Sequence, residues 1–286
     1  MKTLRECINE ADEHRRAIGH FNFSTLEMLR GIVLAAQELK VPVIAGVSEG
    51  ERDFVGVKEA RALVSAFRDD FGIPIFLNAD HTKSLDRAKE VIDAGYDAIV
   101  MDGSAMPFEQ NVATVKDTIS YAKERESNIV VEGELGFIGT SSQILAELPP
   151  GVPVEESKMT SPDEAKKFVE MSGANLLAPA VGNVHGVLSN VGNPALSIKR
   201  VQEIRLASGV PLVLHGASGI SESDVRAAVK AGAVIVHFST DLRVSYRKSL
   251  VASLSDSPEE ISPYKYMRWP IKAVKEVVLS RMAWLV

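Results

Sequence analysis

Three of the six histidines in this 286-residue chain stand at the ends of short apolar runs: His81 in PIFLNADHT, His185 in LLAPAVGNVHG and His215 in PLVLHGASG. Neutral imidazoles are strong zinc ligands, and three protein ligands plus an open position is the arrangement of a catalytic rather than a structural zinc. A single histidine in such a place more often caps a strand or satisfies a core hydrogen bond. Three in equivalent contexts, each beside Gly or Asp, point instead to a metalloenzyme.

The elements that must position these residues alternate along the chain. Strand-like runs fall near 19–23, 41–48, 73–80, 96–103, 128–136, 175–182, 210–216 and 234–240, and segments with apolar residues at helical spacing lie between them. Continuous apolar character suits parallel strands covered on both sides. Ser161 and Ser221 precede early carboxylates as helix caps do, and Gly95, Gly173 and Gly232 follow helical runs as C-terminal glycines do. Eight strand-helix units in about 240 residues match an α/β fold of the (β/α)8 or TIM-barrel type, for which about 250 is typical. A doubly wound sheet is the alternative, but it would not readily explain polar residues ending nearly every strand. The reading is one barrel domain over 1–286, with a lid-like loop at 137–160 and a C-terminal helical extension at 256–286. That extension ends in apolar residues, Met282 to Val286, which are expected to pack on the barrel or on another subunit.

In such a barrel the polar side chains at strand ends converge on one mouth. They are Asn22 and Ser24, Ser48 and Glu49, Asp80 and His81, Asp102, Glu132 and Glu134, Asn183 and His185, His215 and Ser218, and His237, Ser239 and Thr240. The loops Gly182-Asn-Val-His-Gly186 and His215-Gly-Ala-Ser-Gly219 let backbone amides approach a ligand closely, which suits a phosphate. Taken alone, the glycines in either loop could merely turn the chain. Phosphates commonly sit after strands seven and eight of a barrel, here Gly216 to Gly219 and Ser239 to Asp241.

The net charge of −6 and pI near 5.6 argue against nucleic acid or an anionic membrane as the main partner. A small diffusible substrate is expected. Cys7 is the only cysteine, no run approaches a membrane span, and the N-terminus lacks the apolar core of a signal peptide, so a cytoplasmic location is expected.

The set NADHTKSLD, EGELG, GNVHG, LHGASG and FSTDL, in that order and spacing, resembles the class II, zinc-dependent fructose-1,6-bisphosphate and tagatose-1,6-bisphosphate aldolases. The resemblance runs from FNFSTLEML and GVSEG to the SPYKY region. It implies a homodimeric or homotetrameric barrel that reversibly cleaves a ketose bisphosphate, fructose 1,6-bisphosphate being the first choice, into dihydroxyacetone phosphate and an aldehyde such as glyceraldehyde 3-phosphate. By the same resemblance His81, His185 and His215 are the zinc ligands, and Asp80 exchanges a proton with the aldehyde oxygen. Asp102 and Glu134 match positions for a second divalent or monovalent cation or for the resting place of a mobile ion. Gly182, Gly186, Gly216, Ser218 and Thr240, with Asn22 and Ser239 nearby, match the ketone-phosphate side, and Ser48 a hydroxyl near the other phosphate. The chemistry requires such parts: without a Schiff-base lysine, the charge left by breaking C3–C4 needs a Lewis acid, and a carboxyl group must carry the C4 hydroxyl proton. No lysine ends any of the strands.

The chain departs from this family in three places. Where a lid glutamate is common as the C3 base, it reads Gly139-Thr-Ser-Ser142, which leaves Glu147, with Glu155 and Glu156 in reserve, as the candidate base. In the eighth strand, His237 replaces an asparagine that contacts the reacting carbons, adding a donor, a metal ligand or simply bulk. Ser262-Pro-Tyr-Lys265 replaces Asp-Pro-Arg-Lys, removing a planar guanidinium that lysine cannot reproduce. The identity of the aldehyde half, and whether it carries a phosphate, is therefore open. The alternatives are a tagatose-bisphosphate or other sugar-phosphate aldolase, or a noncatalytic relative that binds sugar phosphate or stabilises a partner.

Overall fold

The computed structural model describes residues 1–139, 142–189 and 192–286. Eight parallel strands close into a barrel: β1 (Ile18–Asn22), β2 (Val43–Val47), β3 (Ile75–Thr82), β4 (Ala98–Met101), β5 (Val130–Leu135), β7 (Leu176–Pro179), β9 (Leu212–Leu214) and β10 (Ala233–Phe238), with β10 returning to β1. Each falls within or beside one of the apolar runs. The remaining strands, β6 (Ile144–Leu145) and β8 (Val187–Leu188), pair with each other outside the barrel.

Side chains two apart on a strand share a face. One inward set, including Ile18, Ile44, Phe76, Val130, Leu176 and Val213, forms an apolar cluster at the lower end of the barrel. Helix α1 (Leu4–Glu13) closes that end with Leu4, Cys7, Ile8 and Ala11, and is started by Thr3 through a capping box. Two residues further along the same strands stand His20, Gly46, Asn78, Glu132 and His215, and two further again stand Asn22, Ser48, Asp80 and Glu134. The interior thus passes from apolar floor to polar mouth. The alternate set, Phe21, Ala45, Leu77, Ile99, Val131 and Val236 among them, faces outward into one large core shared with the helices.

The helices carry the expected punctuation. Ser161 caps α7 (Pro162–Ser172) through a capping box and Ser221 caps α9 (Glu222–Ala231), while Gly173 and Gly232 end them in left-handed conformations. Beyond α10 (Thr240–Asp256) and the short α11 (Pro263–Tyr266), α12 (Arg268–Met282) lies against α10 and α2 (Leu26–Leu39). It buries Val274, Val278 and Met282 completely or nearly so, and Leu285 beyond it is buried as well, so the apolar tail packs on its own barrel. No helix among the described residues is long and apolar enough to cross a membrane.

The described residues of the 137–160 segment make backbone contacts with the loop after β7. Ile144 and Leu145 pair in register with Val187 and Leu188, and the Val187 and Ser189 amides donate to Gln143 and Leu145 carbonyls at 2.9 Å. Ile138, Val152 and Met159 are buried. The loop is therefore joined to the segment that carries His185, whose own amide donates to the Ile138 carbonyl at 2.8 Å. Thr140 and Ser141, part of the stretch that replaces the family's lid glutamate, lie outside the described residues.

Candidate metal centre and active site

Asp80 and His81 are adjacent in sequence, and on a regular strand they would point to opposite faces. The pairing of β3 with β4 sets Ala79 against Ile99 and then Thr82 against Met101, so both residues stand opposite the single Val100. This is a β-bulge, a device that re-aims side chains beside active sites. His81 accommodates it with φ of 44°, a left-handed backbone uncommon outside glycine. The fully buried Arg52 clamps the bend, donating to the carbonyls of Val47 at 2.8 Å and Asp80 at 3.2 Å and to Thr82 Oγ1 at 3.1 Å.

The bulge brings His81 to His185, from the loop after β7, and His215, at the end of β9. Their ring centroids are 4.6 Å apart for His81–His185, 5.1 Å for His81–His215 and 5.7 Å for His185–His215. One donor atom from each, together with one Glu134 oxygen, fits within a cluster whose members all lie inside 4.8 Å of one another. His185 Nε2, His215 Nδ1 and Glu134 Oε2 are buried without a hydrogen-bond partner. Buried polar atoms are seldom left so, and three converging lone-pair donors are the signature of a cation site. Three imidazoles and one carboxylate suit zinc or a similar divalent ion.

The second carboxylates set the ring orientations. Glu132 Oε1 lies 2.7 Å from His215 Nε2, which fixes the tautomer that leaves Nδ1 free for a metal. Asp102, expected as a cation ligand, stands outside the four-residue cluster: its Oδ2 is 3.1 Å from His81 Nδ1, and its Oδ1 accepts from Ser104 Oγ at 2.6 Å. Burial disfavours charge on His81 and His215, yet the facing carboxylates prevail and raise both above the ordinary imidazole value, His81 strongly. His185, with no carboxylate partner, is pushed down by burial and by the neighbouring imidazoles. A metal must displace protons from His81 and His215 to bind. Metal affinity is therefore expected to rise with pH until the raised His81 value is passed and then to level off; competition titrations across a pH series that show no slope on the acid side would contradict this.

Asp80 is buried beside the cluster. Desolvation acts to raise its carboxyl, but His81, His237 and His20 outweigh it and hold it well below the usual carboxylate range. Asn22 Nδ2 donates at 2.9 Å to both Asp80 Oδ2 and Glu51 Oε2. Glu51 in turn accepts from the Ser48 amide at 2.8 Å and from Arg243 Nη2 at 2.6 Å.

A cavity of about 190 Å³ opens over Asp80 and His81 toward Ser48, Lys83, Ser142 and Arg243. A smaller cavity adjoins it, and the two share Asn22, Asp80, His81, Ser142 and His185. The smaller one runs past His237 to Gly186, Gly216, Ser218, Ser239 and Thr240. Ser239 and Thr240 begin α10, a 17-residue helix whose free amides and dipole favour an anion. Ser218 Oγ donates to Asp241 Oδ1 at 2.7 Å and accepts from the Ser239 amide at 3.1 Å, tying two loops together. Gly216, at φ 72°, also allows close packing: a Cβ there would overlap the Val184 carbonyl next to His185. Gly182 lines neither cavity and makes a buried turn against Ala195. Glu147 is exposed on its loop and also lines neither cavity.

Sequence reasoning passed over Arg52, Glu51, His20 and Asn78, and left Glu132 without a role. The inward period of two on β1, β3 and β5 was the available signal, since it places each of the last three below a mouth residue.

Residues 2–286 match the family model described as fructose-bisphosphate aldolase class-II. A fructose-bisphosphate aldolase of Staphylococcus aureus is 34% identical over 283 residues, covering 98% of this chain and 95% of that protein. A 6-phospho-5-dehydro-2-deoxy-D-gluconate aldolase of Bacillus licheniformis is 35% identical over 283 residues, covering 98% and 93%. Among solved structures, the YdjI aldolase from Escherichia coli K12 aligns with a TM-score of 0.82 at 29% identity, covering 99% of this chain and 96% of that one. With a match over the whole chain and a parallel eight-stranded barrel that gathers three histidines at its mouth, the chain belongs to the class II fructose-bisphosphate aldolase family.

Proposed function

We propose that this protein is a zinc-dependent aldolase that reversibly cleaves a phosphorylated ketose to dihydroxyacetone phosphate and an aldehyde, with fructose 1,6-bisphosphate the first substrate to try. The observation that carries the reading is the set of unpartnered donors on His185, His215 and Glu134, closed by His81, directly beside the ionised Asp80. A divalent ion held by His81, His185 and His215 would supply the electrophile that polarises the ketone and stabilises charge at C3. Asp80, aimed by Asn22, takes the proton from the C4 hydroxyl in cleavage and returns it to the aldehyde oxygen in synthesis. Ser218, Ser239, Thr240 and the Gly186 and Gly216 backbones hold the phosphate of the three-carbon half at the start of α10. Ser48, Lys83 and Arg243 face the aldehyde half. The oligomeric part of the reading, a homodimer or homotetramer, follows the resemblance alone, and the cytoplasmic part rests on the single cysteine and the lack of a signal-like or membrane-length apolar run.

The deciding assay offers zinc-loaded protein a panel of ketose bisphosphates, the tagatose epimer and 6-phospho-5-dehydro-2-deoxy-D-gluconate, and measures dihydroxyacetone phosphate. Release from none of them would favour a noncatalytic sugar-phosphate binder, the reading to which the missing lid glutamate points.

Glu147 is the proposed C3 base. Because it stands exposed outside the cavities, it serves only if its loop folds over the mouth when substrate binds, which would also exclude water. Glu147→Gln is expected to slow proton exchange at C3 of dihydroxyacetone phosphate by about 10²–10⁴-fold with metal content unchanged. Exchange at the wild-type rate would move the base to Glu155, Glu156 or His237.

A further inference from the structure

Barrel interiors of this kind are usually packed with branched aliphatic side chains, yet His20 is buried in the middle of β1, below the mouth. The pairing of β1 with β10 sets it opposite His237, and the two rings stack with centroids 3.5 Å apart and planes 5° apart. His237 also stacks on His215, at 4.1 Å and 19°. Two rings cannot share one face at such distances, so the three imidazoles form a column that ends on a metal-ligand position. The barrel is shaped around its lower member: a Cβ on Gly46 of β2 would overlap the His20 ring, and Asn78 Nδ2 of β3 lies 2.9 Å from His20 Nε2.

His20, Asp80 and His237 sit close enough together to suggest a second cation site. The stacking argues otherwise. Imidazole lone pairs lie in the ring plane, and in two rings 5° from parallel they run side by side without converging on one ion at the bond length of about 2.0–2.1 Å that zinc requires. What the column does fix is the edge of His237, whose Nδ1 lies 3.4 Å from Asp80 Oδ1. Asn22 holds the other oxygen of that carboxylate at 2.9 Å.

We propose that His20 is a positioning residue: stacked on His237, it fixes the imidazole edge that faces Asp80 Oδ1, and thereby the direction in which the carboxylate meets the substrate hydroxyl. This rests on the reading of Asp80 as the proton carrier.

The test separates two reactions of the metal-loaded enzyme. Cleavage of the best ketose phosphate needs Asp80, whereas proton exchange at C3 of dihydroxyacetone phosphate does not. His20→Ala is expected to lower kcat for cleavage about 10- to 100-fold, the scale of an ångström-sized misplacement, with KM, C3 exchange and one bound ion per chain unchanged. His20→Phe, which keeps a flat ring, is expected to restore most of the rate, and His20→Gln, which keeps only a hydrogen-bonding group, is not. Cleavage and exchange falling together, cleavage unaffected by His20→Ala, rescue by Gln rather than Phe, or loss of a second ion would each overturn the proposal. Should His20→Ala fail to fold, Gly46→Ala displaces the same ring with a methyl group and must produce the same split. If the wild type cleaves no phosphorylated ketose, it is the aldolase reading that fails. The column is then read from 15N spectra of the His237 ring, where a shift in His20→Ala that Phe reverses supports it and no shift overturns it.

Discussion

Replacing His81, His185 or His215 by alanine is expected to remove the bound metal and with it all measurable carbon–carbon cleavage. Each imidazole is one of only three in the four-residue cluster, and its loss leaves a donor set that was not arranged to work without it, so the ion is held more weakly and away from its place beside Asp80. The loss should appear first as metal content, measured on protein passed through a chelating column, and only secondarily as rate. Glu132→Gln and Asp102→Asn provide the contrast. They leave the cluster intact but loosen the orientation of His215 and His81, so metal affinity is expected to fall only about 10–100-fold, and activity to return at high metal concentration. A His185→Ala protein that keeps stoichiometric metal and wild-type turnover would remove the metal centre from its place in the reading.

Asp80→Ala should behave in the opposite manner, keeping the metal and losing the reaction. The carboxylate is not a member of the four-residue cluster, yet it is within 3.8 Å of His81 Nε2 and opens on the larger cavity. Its loss leaves no group to receive the C4 hydroxyl proton, so kcat for cleavage is expected to fall by about 10²–10⁴-fold. Proton exchange at C3 of dihydroxyacetone phosphate should persist, because it involves only the three-carbon half. Equal cleavage rates in wild type and variant would take the role from Asp80. Removing a buried, ionised carboxylate also frees Asn22 Nδ2 from one acceptor while Glu51 still holds it, so the local structure has a partner to fall back on.

The order of elements was legible because it is a one-dimensional property. Each barrel strand is an apolar run, α7 and α9 each begin with a serine before early carboxylates, and the three histidines stand at or just beyond strand ends, as barrel geometry demands. The resting places of Gly182 and Glu147 were not legible. A glycine that turns the chain and one that cradles a phosphate look alike in sequence, and a loop glutamate gives no sign of which way the loop lies. The anchoring of residues 144–145 on 187–188 depends on a pairing between segments more than 40 residues apart, with two-residue strands too short to announce themselves.

The sequence by itself determined the order of strands and helices expected of a parallel barrel and placed three histidines at strand ends, because strand period, helix caps and residue type are local and repeat. Only the tertiary structure decided how the ligands are aimed. The β3 bulge turns two adjacent residues into the same site, Glu132 selects the His215 tautomer, and His20 meets His237 across two strands that are 217 positions apart in the chain but paired in the barrel. Those are consequences of register and closure, which depend on which residues the folded chain brings side by side and not on the order in which they were joined.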